Sequence, residues 1–306
     1  MKNIKIIAVI VLISLGMMLF SACEKIEEQS DDFLVVTSFY PMYVFTKNIT
    51  DGAEGVRVIN MTEPQTGCLH DYQLVPEDIK VLERADVFVI NGGGMEAFME
   101  KAYENISDLN VLTASDGIEF ISADCNEHHD HKHEEEYNSH VWTYVPNAVK
   151  EIENIRDGLS ALDPVNEKIY RENAEKYIKG LNEIHKKFES FIDRFESVKM
   201  VVTHEAFDYM AEGYGFEIAG KIMSDHNMQP SAGELSNLAE KIKKENVIGI
   251  FKEPQYPDGM IKTLAKETKV PVFELDPMVT GEDDYIGIYE NVMLNNLKTI
   301  EKAMKK

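Results

Sequence analysis

The sequence predicts an α/β protein with two lobes, each built on a small parallel β-sheet flanked by helices, joined by one long rigid α-helix. Three observations indicate this fold. Eight short runs of β-branched and apolar residues alternate with amphipathic stretches. The runs are apolar almost throughout, as in strands that helices cover on both faces. One long amphipathic stretch separates the first four runs from the last four, which is the pattern of two α/β units.

The predicted strands form two groups of four. Their ranges are 33–38, 56–61, 85–90 and 110–113 in the first group, and 199–203, 217–222, 247–251 and 271–275 in the second. We assign the first group to an N-terminal lobe, 33–163, and the second to a C-terminal lobe, 199–306.

The strongest helical signal lies between the two groups. Apolar side chains recur there at alternating spacings of four and three, which places them on one stripe of a helix. They are Tyr170, Ala174, Tyr177, Leu181, Ile184, Phe188, Phe191 and Phe195. Asp163-Pro164 is a helix start signal. A linker helix over 164–198 would be roughly 50 Å long. We expect it to run along both lobes and to limit large lobe closure.

The first 22 residues have the pattern of a secretory signal. Lys2 and Lys5 precede an apolar run, 6–20, that is shorter than the roughly 20 residues of a membrane-spanning helix. The segment resembles a bacterial lipoprotein signal, in which Cys23 receives the lipid. An ordinary signal peptide followed by an incidental cysteine is the alternative. Residues 23–32 then form a polar tether, and the protein is expected outside the cytoplasm, lipid-anchored to the cell membrane.

The charge of the chain bears on its partners. Removing residues 1–22, which carry two lysines and no acidic residue, leaves 284 residues and changes the formal charge from −23 to −25. A chain of this length is too long for a typical single core and suits two. Its charge argues against nucleic acid and anionic lipid as partners and favours cations. An acidic surface that keeps an exported protein soluble explains the charge equally well.

Four residues that recur at intervals of about seventy positions are candidate metal ligands: His70, His140, His204 and Asp276. All except His140 follow predicted strands, and ligands gather beyond the carboxyl ends of parallel strands. Three imidazoles and one carboxylate suit zinc, which prefers four ligands. Each residue taken alone is more simply a capping or core residue. Together they predict a metal site in the cleft, with two ligands from each lobe.

A second group of metal-binding side chains lies in an acidic loop, 124–136. Four of the nine histidines are in it: His128, His129, His131 and His133. Such a tract cannot form a core, and flexible imidazole and carboxylate groups bind zinc weakly in competition with protons. We expect an auxiliary loop that collects or senses zinc. The two cysteines after Cys23, Cys68 and Cys125, are open to one disulfide, to zinc ligation by Cys68, or to a free thiol.

Two further motifs are incomplete. Asn91-Gly92-Gly93-Gly94 follows a predicted strand, but it lacks the residues of a phosphate-binding loop, which favours a tight strand-to-helix turn. His204-Glu205 begins like the H-E-x-x-H motif of zinc proteases, but position 208 is Asp and the second histidine is missing.

Seven segments, in chain order, resemble the motifs of one family. They are Phe39-Tyr40-Pro41-Met42-Tyr43, Leu69-His70-Asp71-Tyr72, Asn91-Gly92-Gly93-Gly94-Met95-Glu96, Ser139-His140-Val141-Trp142, His204-Glu205-Ala206-Phe207-Asp208-Tyr209, Gln229-Pro230-Ser231 and Leu275-Asp276-Pro277. On these residues essentially the whole mature chain resembles the zinc and manganese class of solute-binding lipoproteins of ABC importers. Cys68, where many members have Gly and Pro, is a departure, and so is the absence of a cysteine pair in the second lobe.

The resemblance implies two α/β lobes joined by a long helix, with metal in the cleft. In that family the third ligand tends to be His in zinc proteins and Glu in manganese proteins. His204 and the His-rich loop therefore indicate Zn²⁺ as the transported ligand, with Mn²⁺ as the alternative. The implied partners are an ABC permease and its ATPase, and the chain is expected to be a monomer.

Three functions compete. The first is a non-enzymatic, lipid-anchored protein that delivers zinc to the permease. The second is a secreted zinc hydrolase with Glu205 as base, which needs an open coordination position that four protein ligands do not leave. The third is an adhesin, for which the sequence offers no feature beyond display at the membrane.

Overall fold

The computed structural model describes residues 32–62, 69, 72–122, 137–195, 198–223, 230–281 and 285–305. Several predictions fall outside these ranges: the signal 1–22, Cys23 and nearly all of the tether, Cys68, His70, Cys125 and the His-rich loop 124–136. Among the described helices, none combines the length and the apolar character that crossing a membrane requires.

All eight predicted strands are confirmed, with ends that shift by at most three residues. They are β1 Phe33–Thr37, β2 Val56–Asn60, β3 Val87–Ile90, β4 Asn110–Thr113, β5 Val198–Val202, β6 Phe216–Lys221, β7 Ile250–Lys252 and β8 Val272–Glu274. The helices of the described residues are α1 Tyr40–Thr50, α2 Pro76–Leu82, α3 Glu100–Tyr103, α4 Val145–Leu162, α5 Glu167–Ile192, α6 Asp208–Tyr214, α7 Ala232–Glu245, α8 Gly259–Thr268 and α9 Ile288–Met304.

The strands form two parallel four-stranded sheets with the same order. The first sheet runs β2-β1-β3-β4 and the second β6-β5-β7-β8. This confirms the predicted two-lobe α/β fold, while the lobe boundaries at 163 and 199 stay predictions. In each sheet the second strand of the lobe pairs with one side of the first strand, and the third strand pairs with the other side. Ligands of open α/β sheets bind at such a switch point in the strand order. Asn91 follows β3, His204 lies just after β5, and Glu253 follows β7.

The core is shared between the lobes instead of divided between them. Successive side chains of a strand point to opposite faces, so Val35 of β1 joins a large apolar cluster that also contains Met200 of β5, Leu181 of α5 and Ile300 of α9. Leu34 and Val36 point the other way, into a smaller cluster of the first lobe. A separate small cluster backs the second sheet. The expectation of one core for each lobe is therefore wrong, because the helices between the sheets bury apolar faces against both.

The long linker helix is confirmed, but it is shorter than the predicted range 164–198. Helix α5 spans 26 residues, about 39 Å. It begins later because Asp163 belongs to a separate turn, where its carboxylate accepts hydrogen bonds from Tyr170 Oη at 2.6 Å and from Asn166 Nδ2 at 2.8 Å. It ends at Ile192, and Phe195 packs on the core from the turn that follows. The other members of the predicted stripe are buried in α5.

Candidate metal centre

Three of the four predicted ligands lie in described residues: His140 in the first lobe, and His204 and Asp276 in the second. His70 lies outside the described residues, next to Leu69, which is fully buried. The geometry below therefore concerns the part of the predicted site formed by the other three residues.

His140 stands at the start of a short 3₁₀ helix, Val141–Thr143, and its side chain is buried. Its Nδ1 lies 2.9 Å from Asn138 Oδ1, and its backbone N–H donates to the same oxygen at 2.9 Å. An amide oxygen accepts hydrogen bonds, so Nδ1 carries the proton. Nε2 is then the ring nitrogen with the lone pair that a metal needs.

His204 is oriented by a carboxylate. It lies two residues after the end of β5, and its Nδ1 lies 2.6 Å from Oε1 of Glu253, a residue that is fully buried just after β7. The other carboxylate oxygen of Glu253 accepts from Gln255 Nε2 at 2.8 Å. A carboxylate that binds one nitrogen of a histidine fixes the tautomer and raises the basicity of the other nitrogen toward a metal. Glu253 therefore fixes the orientation of the His204 ring through its Nδ1.

The two histidines come from different lobes and meet. Their ring centroids lie 5.0 Å apart, with an angle of 87° between the ring planes. In each ring Nδ1 faces a protein oxygen, Asn138 Oδ1 for His140 and Glu253 Oε1 for His204. The sequence prediction that these two residues approach each other at the cleft is consistent with this arrangement.

Asp276 is held by its own loop on the second lobe. Its Oδ1 accepts from Met278 N at 2.7 Å, and its backbone N–H and C=O bond the amide of Asn296 on α9 at 3.0 Å and 2.8 Å. Burial raises the pKa of the Asp276 carboxyl, and the charges of Glu274 and Glu253 raise it further, against the Met278 hydrogen bond. Like charges disfavour one another, and a bound divalent cation would reverse this effect.

Within the described ranges, no group of three or more His, Cys, Asp or Glu side chains is close enough to hold a metal ion. The structure thus brings His140 and His204 together, and the membership of His70 and Asp276 in one four-ligand site stays a prediction. Asp276 is nevertheless tied to the same region, because the indole N–H of Trp142 donates to the carbonyl of Pro277 at 2.7 Å.

The glycine-rich segment forms the tight turn that the sequence favours. Gly92, Gly93 and Gly94 all have positive φ, at +86°, +62° and +88°, and a Cβ on Gly92 would lie 2.5 Å from the Thr113 side chain. The backbone N–H groups of Asn91 and Gly92 donate to the Glu96 carboxylate at 2.8 Å and 3.0 Å. These donors are the ones that a phosphate would use, so a phosphate-binding role is excluded for them.

Glu96 links this turn to the end of β1, and Asn91 links the turn to the loop of His140. Glu96 also accepts from Ser38 Oγ at 2.8 Å, and Asn91 Nδ2 donates to Ser139 O at 2.9 Å, next to His140. Burial raises the pKa of Glu96 to about 7, although the hydrogen bonds that its carboxylate accepts from Asn91, Ser38 and Gly92 lower it.

The sequence predictions did not include Asn138 and Glu253, the residues that orient the two histidines. Glu253 had the same signal as Asp276, a carboxylate just beyond a buried strand. Asn138 had a weaker signal, its position two residues before a candidate ligand, where Asn side chains often bond the following backbone. Glu205, the candidate base, is buried, with Oε1 4.0 Å from His140 Nδ1.

The fold and this geometry can be compared with known proteins. The model of the family described as zinc-uptake complex component A, periplasmic (ZnuA), matches residues 35–303. The chain belongs to this family. The resemblance to zinc-class solute-binding proteins of ABC importers is therefore confirmed, while the four predicted ligands stay predictions.

Two relatives in the family illustrate the similarity. The chain is 30% identical over 315 residues to the zinc-binding lipoprotein AdcA of Streptococcus pneumoniae, a match that covers 99% of this chain and 61% of AdcA. It is 29% identical over 290 residues to the high-affinity zinc uptake system protein ZnuA of Bacillus subtilis, covering 91% of this chain and 89% of that protein. The chain thus spans about three fifths of the length of AdcA.

Solved structures show the same fold. The crystal structure of Zn(II)-bound AdcA from Streptococcus pneumoniae superimposes with a TM-score of 0.75 at 27% identity, covering 90% of this chain and 58% of AdcA. The two-lobe architecture is therefore shared with a structure in which that protein carries zinc.

Proposed function

We propose that this member of the ZnuA family captures Zn²⁺ between its lobes, outside the cytoplasm, and delivers it to an ABC import permease driven by an ATPase. In this proposal His70, His140, His204 and Asp276 bind the ion. Cys23 carries the lipid anchor, and the chain acts as a monomeric carrier without catalysis. The names of the relatives, a zinc-binding lipoprotein and a zinc uptake protein, support the zinc assignment.

One observation carries the proposal. Two buried histidines from different lobes lie with ring centroids 5.0 Å apart, and the Nδ1 of each is bonded to a protein oxygen. Imidazole bonded in this way through one nitrogen offers the other to a metal, as most metal-binding histidines do. A pair of such rings is borderline-soft and suits zinc better than manganese, which favours oxygen ligands.

The carboxylates around the pair supply charge. Burial raises the pKa of Asp276, and the negative charges of Glu274 and Glu253 on the same lobe raise it further. A bound divalent cation would stabilise the ionised form of these carboxylates. Asp276 would contribute directly as a ligand, and Glu253 through His204.

Isothermal titration with zinc and with manganese tests the proposal. We expect wild-type protein to bind one Zn²⁺ tightly and Mn²⁺ more weakly. His140→Ala should lose more affinity than the roughly 10–100-fold that removal of an outer-shell partner typically costs. His185→Ala is the matched control, because His185 lies on α5 and bonds Tyr214 Oη at 3.2 Å. Tight zinc binding that persists in His140→Ala would contradict the ligand assignment.

We also propose that His128, His129, His131 and His133 form a weaker, auxiliary zinc site. Replacement of all four by alanine should leave the tight site intact and remove additional, weaker binding events from the titration. If the tight site itself weakens by tenfold or more, the tract belongs to the principal site and the auxiliary role is wrong.

A zinc hydrolase is the second candidate function, since Glu205 is buried 4.0 Å from His140. Hydrolysis requires a metal-bound water and therefore an open coordination position. Zinc-dependent turnover of ester or peptide substrates that Glu205→Gln abolishes, with zinc affinity unchanged, would replace the carrier proposal. Manganese import is distinguished by the same titrations, in which Mn²⁺ would then bind more tightly than Zn²⁺.

A further inference from the structure

Asn138 uses all of its polar groups, and it is fully buried. Its side-chain oxygen accepts from the backbone N–H of His140 and from His140 Nδ1, each at 2.9 Å. Its side-chain nitrogen donates to the carbonyl of Glu205 at 2.9 Å and to Asp208 Oδ2 at 3.1 Å. Asn138 therefore touches the histidine of its own lobe on one side and the segment after His204 on the other.

The orientation of this amide is determined by its partners. The backbone N–H of His140 can only donate and the carbonyl of Glu205 can only accept, so the oxygen must face His140 and the nitrogen must face Glu205. This orientation leaves a single role for His140 Nδ1, that of a donor. The hydrogen-bond network thus sets the tautomer of His140 without a metal.

The backbone of Asn138 is fixed as well. Its N–H donates to Ile121 O at 2.9 Å, and its C=O accepts from Tyr209 Oη at 2.6 Å. Tyr209 lies on α6 of the second lobe and accepts in turn from Ile121 N at 3.0 Å. Asp208, the side-chain partner of Asn138, is held by Lys221 Nζ at 2.7 Å. The contacts across the lobes therefore involve both the side chain and the main chain of one residue.

We infer that Asn138 is a positioning residue that assembles the His140–His204 pair across the two lobes before metal arrives. It fixes His140 as the Nδ1–H tautomer, and it fastens the loop of His140 to the segment that starts at His204. The inference rests on the proposed function, in which both histidines bind zinc. It extends that function by assigning to an amide, which does not touch the metal, the preparation of the first lobe's ligand.

Two substitutions separate the two halves of this role. Asn138→Ala removes both the acceptor for His140 and the donor toward Glu205 and Asp208. Asn138→Asp keeps acceptors for His140, but it cannot donate, and it places a carboxylate beside Asp208. Asn154→Ala is the matched control, because the Asn154 amide also makes two hydrogen bonds to backbone carbonyls, Ala114 O at 2.7 Å and Asp116 O at 2.8 Å.

The first measurement is the tautomer of His140 in metal-free protein, from ¹⁵N–¹H correlation spectra of the imidazole at mildly alkaline pH, which favours neutral imidazole in general. We expect the Nδ1–H form in wild type, in Asn138→Asp and in Asn154→Ala, and loss of that single form in Asn138→Ala. A structural role alone would not change the tautomer. An unchanged tautomer in Asn138→Ala, or its loss in Asn138→Asp, overturns the inference.

The second measurement is zinc affinity by competition with a chelating dye. Asn138→Ala should bind zinc roughly 10–100-fold more weakly than wild type, and Asn154→Ala should match wild type. Asn138→Asp should release zinc faster than wild type although its His140 tautomer is retained, because the lobes are no longer fastened there. Equal affinity and release in all four proteins overturns the inference. Absence of zinc binding in wild type would instead overturn the proposed function. If Asn138→Ala does not fold, Asn138→Asp still tests the cross-lobe half by its release rate.

Discussion

The indole N–H of Trp142 donates a hydrogen bond of 2.7 Å to the backbone carbonyl of Pro277. Trp142 lies two residues after His140, and Pro277 directly follows Asp276, so this bond joins the loops of two predicted ligands from different lobes. The carbonyl of Trp142 accepts from Tyr289 Oη of α9 at 2.7 Å. The ring also packs edge-on against Phe39, with centroids 5.0 Å apart.

Trp142→Phe should lower both stability and zinc affinity. The indole is fully buried, so its loss leaves the Pro277 carbonyl without this donor and leaves space in the core. We expect a loss of about 2–3 kcal/mol in the free energy of unfolding. Circular dichroism in urea is the measurement. Tryptophan fluorescence cannot be used, because Trp142 is the one tryptophan of the sequence. Phe88→Leu, in the smaller apolar cluster of the first lobe, should lower stability and leave zinc affinity unchanged. Wild-type zinc affinity in Trp142→Phe would count against this link.

Glu253→Gln should weaken zinc binding by about tenfold or more. The glutamine oxygen can still accept from His204 Nδ1, but the negative charge that raises the basicity of Nε2 is lost. Competition titration gives the affinity. Glu274→Gln is the control, because Glu274 is a more exposed carboxylate nearby that pairs with Lys252 at 3.1 Å. Equal zinc affinities of Glu253→Gln and Glu274→Gln would show that bulk charge, and not the orientation of His204, is responsible.

His204→Glu alone should bind both zinc and manganese poorly. A glutamate there would face the fully buried carboxylate of Glu253, which now bonds His204 at 2.6 Å, and two such carboxylates repel one another. The double variant His204→Glu/Glu253→Gln removes the repulsion, and it should bind manganese more tightly relative to zinc than wild type does. Parallel titrations with the two metals measure this ratio. A single variant that already prefers manganese would refute the proposed conflict with Glu253.

Glu151 should make the metal-free protein less stable as pH rises. This residue of α4 is fully buried, and among the described residues neither of its carboxylate oxygens has a hydrogen-bond partner. Burial raises the pKa of Glu151 well above 4.5, and the nearby charge of Glu96 adds to the effect. A carboxyl whose pKa is raised by folding contributes its stability below the unfolded-state pKa and loses it as pH rises through the folded-state pKa.

Glu151→Gln should therefore flatten the fall of stability as pH rises above the ordinary glutamate pKa. Urea unfolding with a chelator present is the measurement, because bound zinc would add its own pH dependence. Part of the slope should remain, since Glu96, with a pKa of about 7, contributes with the same sign. Glu183→Gln, an exposed substitution on α5, should keep the wild-type slope. Parallel slopes in wild type and Glu151→Gln would show that folding does not raise the pKa of Glu151.

Local sequence patterns predicted the strands well. The strands are rich in β-branched and apolar residues, and Val87–Ile90 consists of nothing else, as burial on both faces favours. The long helix was predicted by the spacing of its stripe, but its ends were not. Asp163 signals a helix start, yet its hydrogen bonds to Tyr170 and Asn166 place it in a turn before the helix.

The candidate site was predicted less completely, because its hydrogen bonds connect residues far apart in the chain. Glu253 reaches His204 from 49 positions away, and Asn138 reaches Glu205 from 67. No local pattern indicates which strand end lies beside which. The candidate ligands themselves could be found because their residue types are unusual after apolar strands. The residues that orient them are common types whose role depends on the fold.

The apolar layer between the two sheets makes the lobes dependent on one another. Val35 of the first sheet and Met200 of the second belong to the same buried cluster, with α5 between them. Neither half of the chain, expressed alone, would retain a complete hydrophobic interior, so the chain should melt in a single cooperative transition. Zinc bound at the cleft would then protect every part of the protein, including regions far from the metal, against heat and proteases.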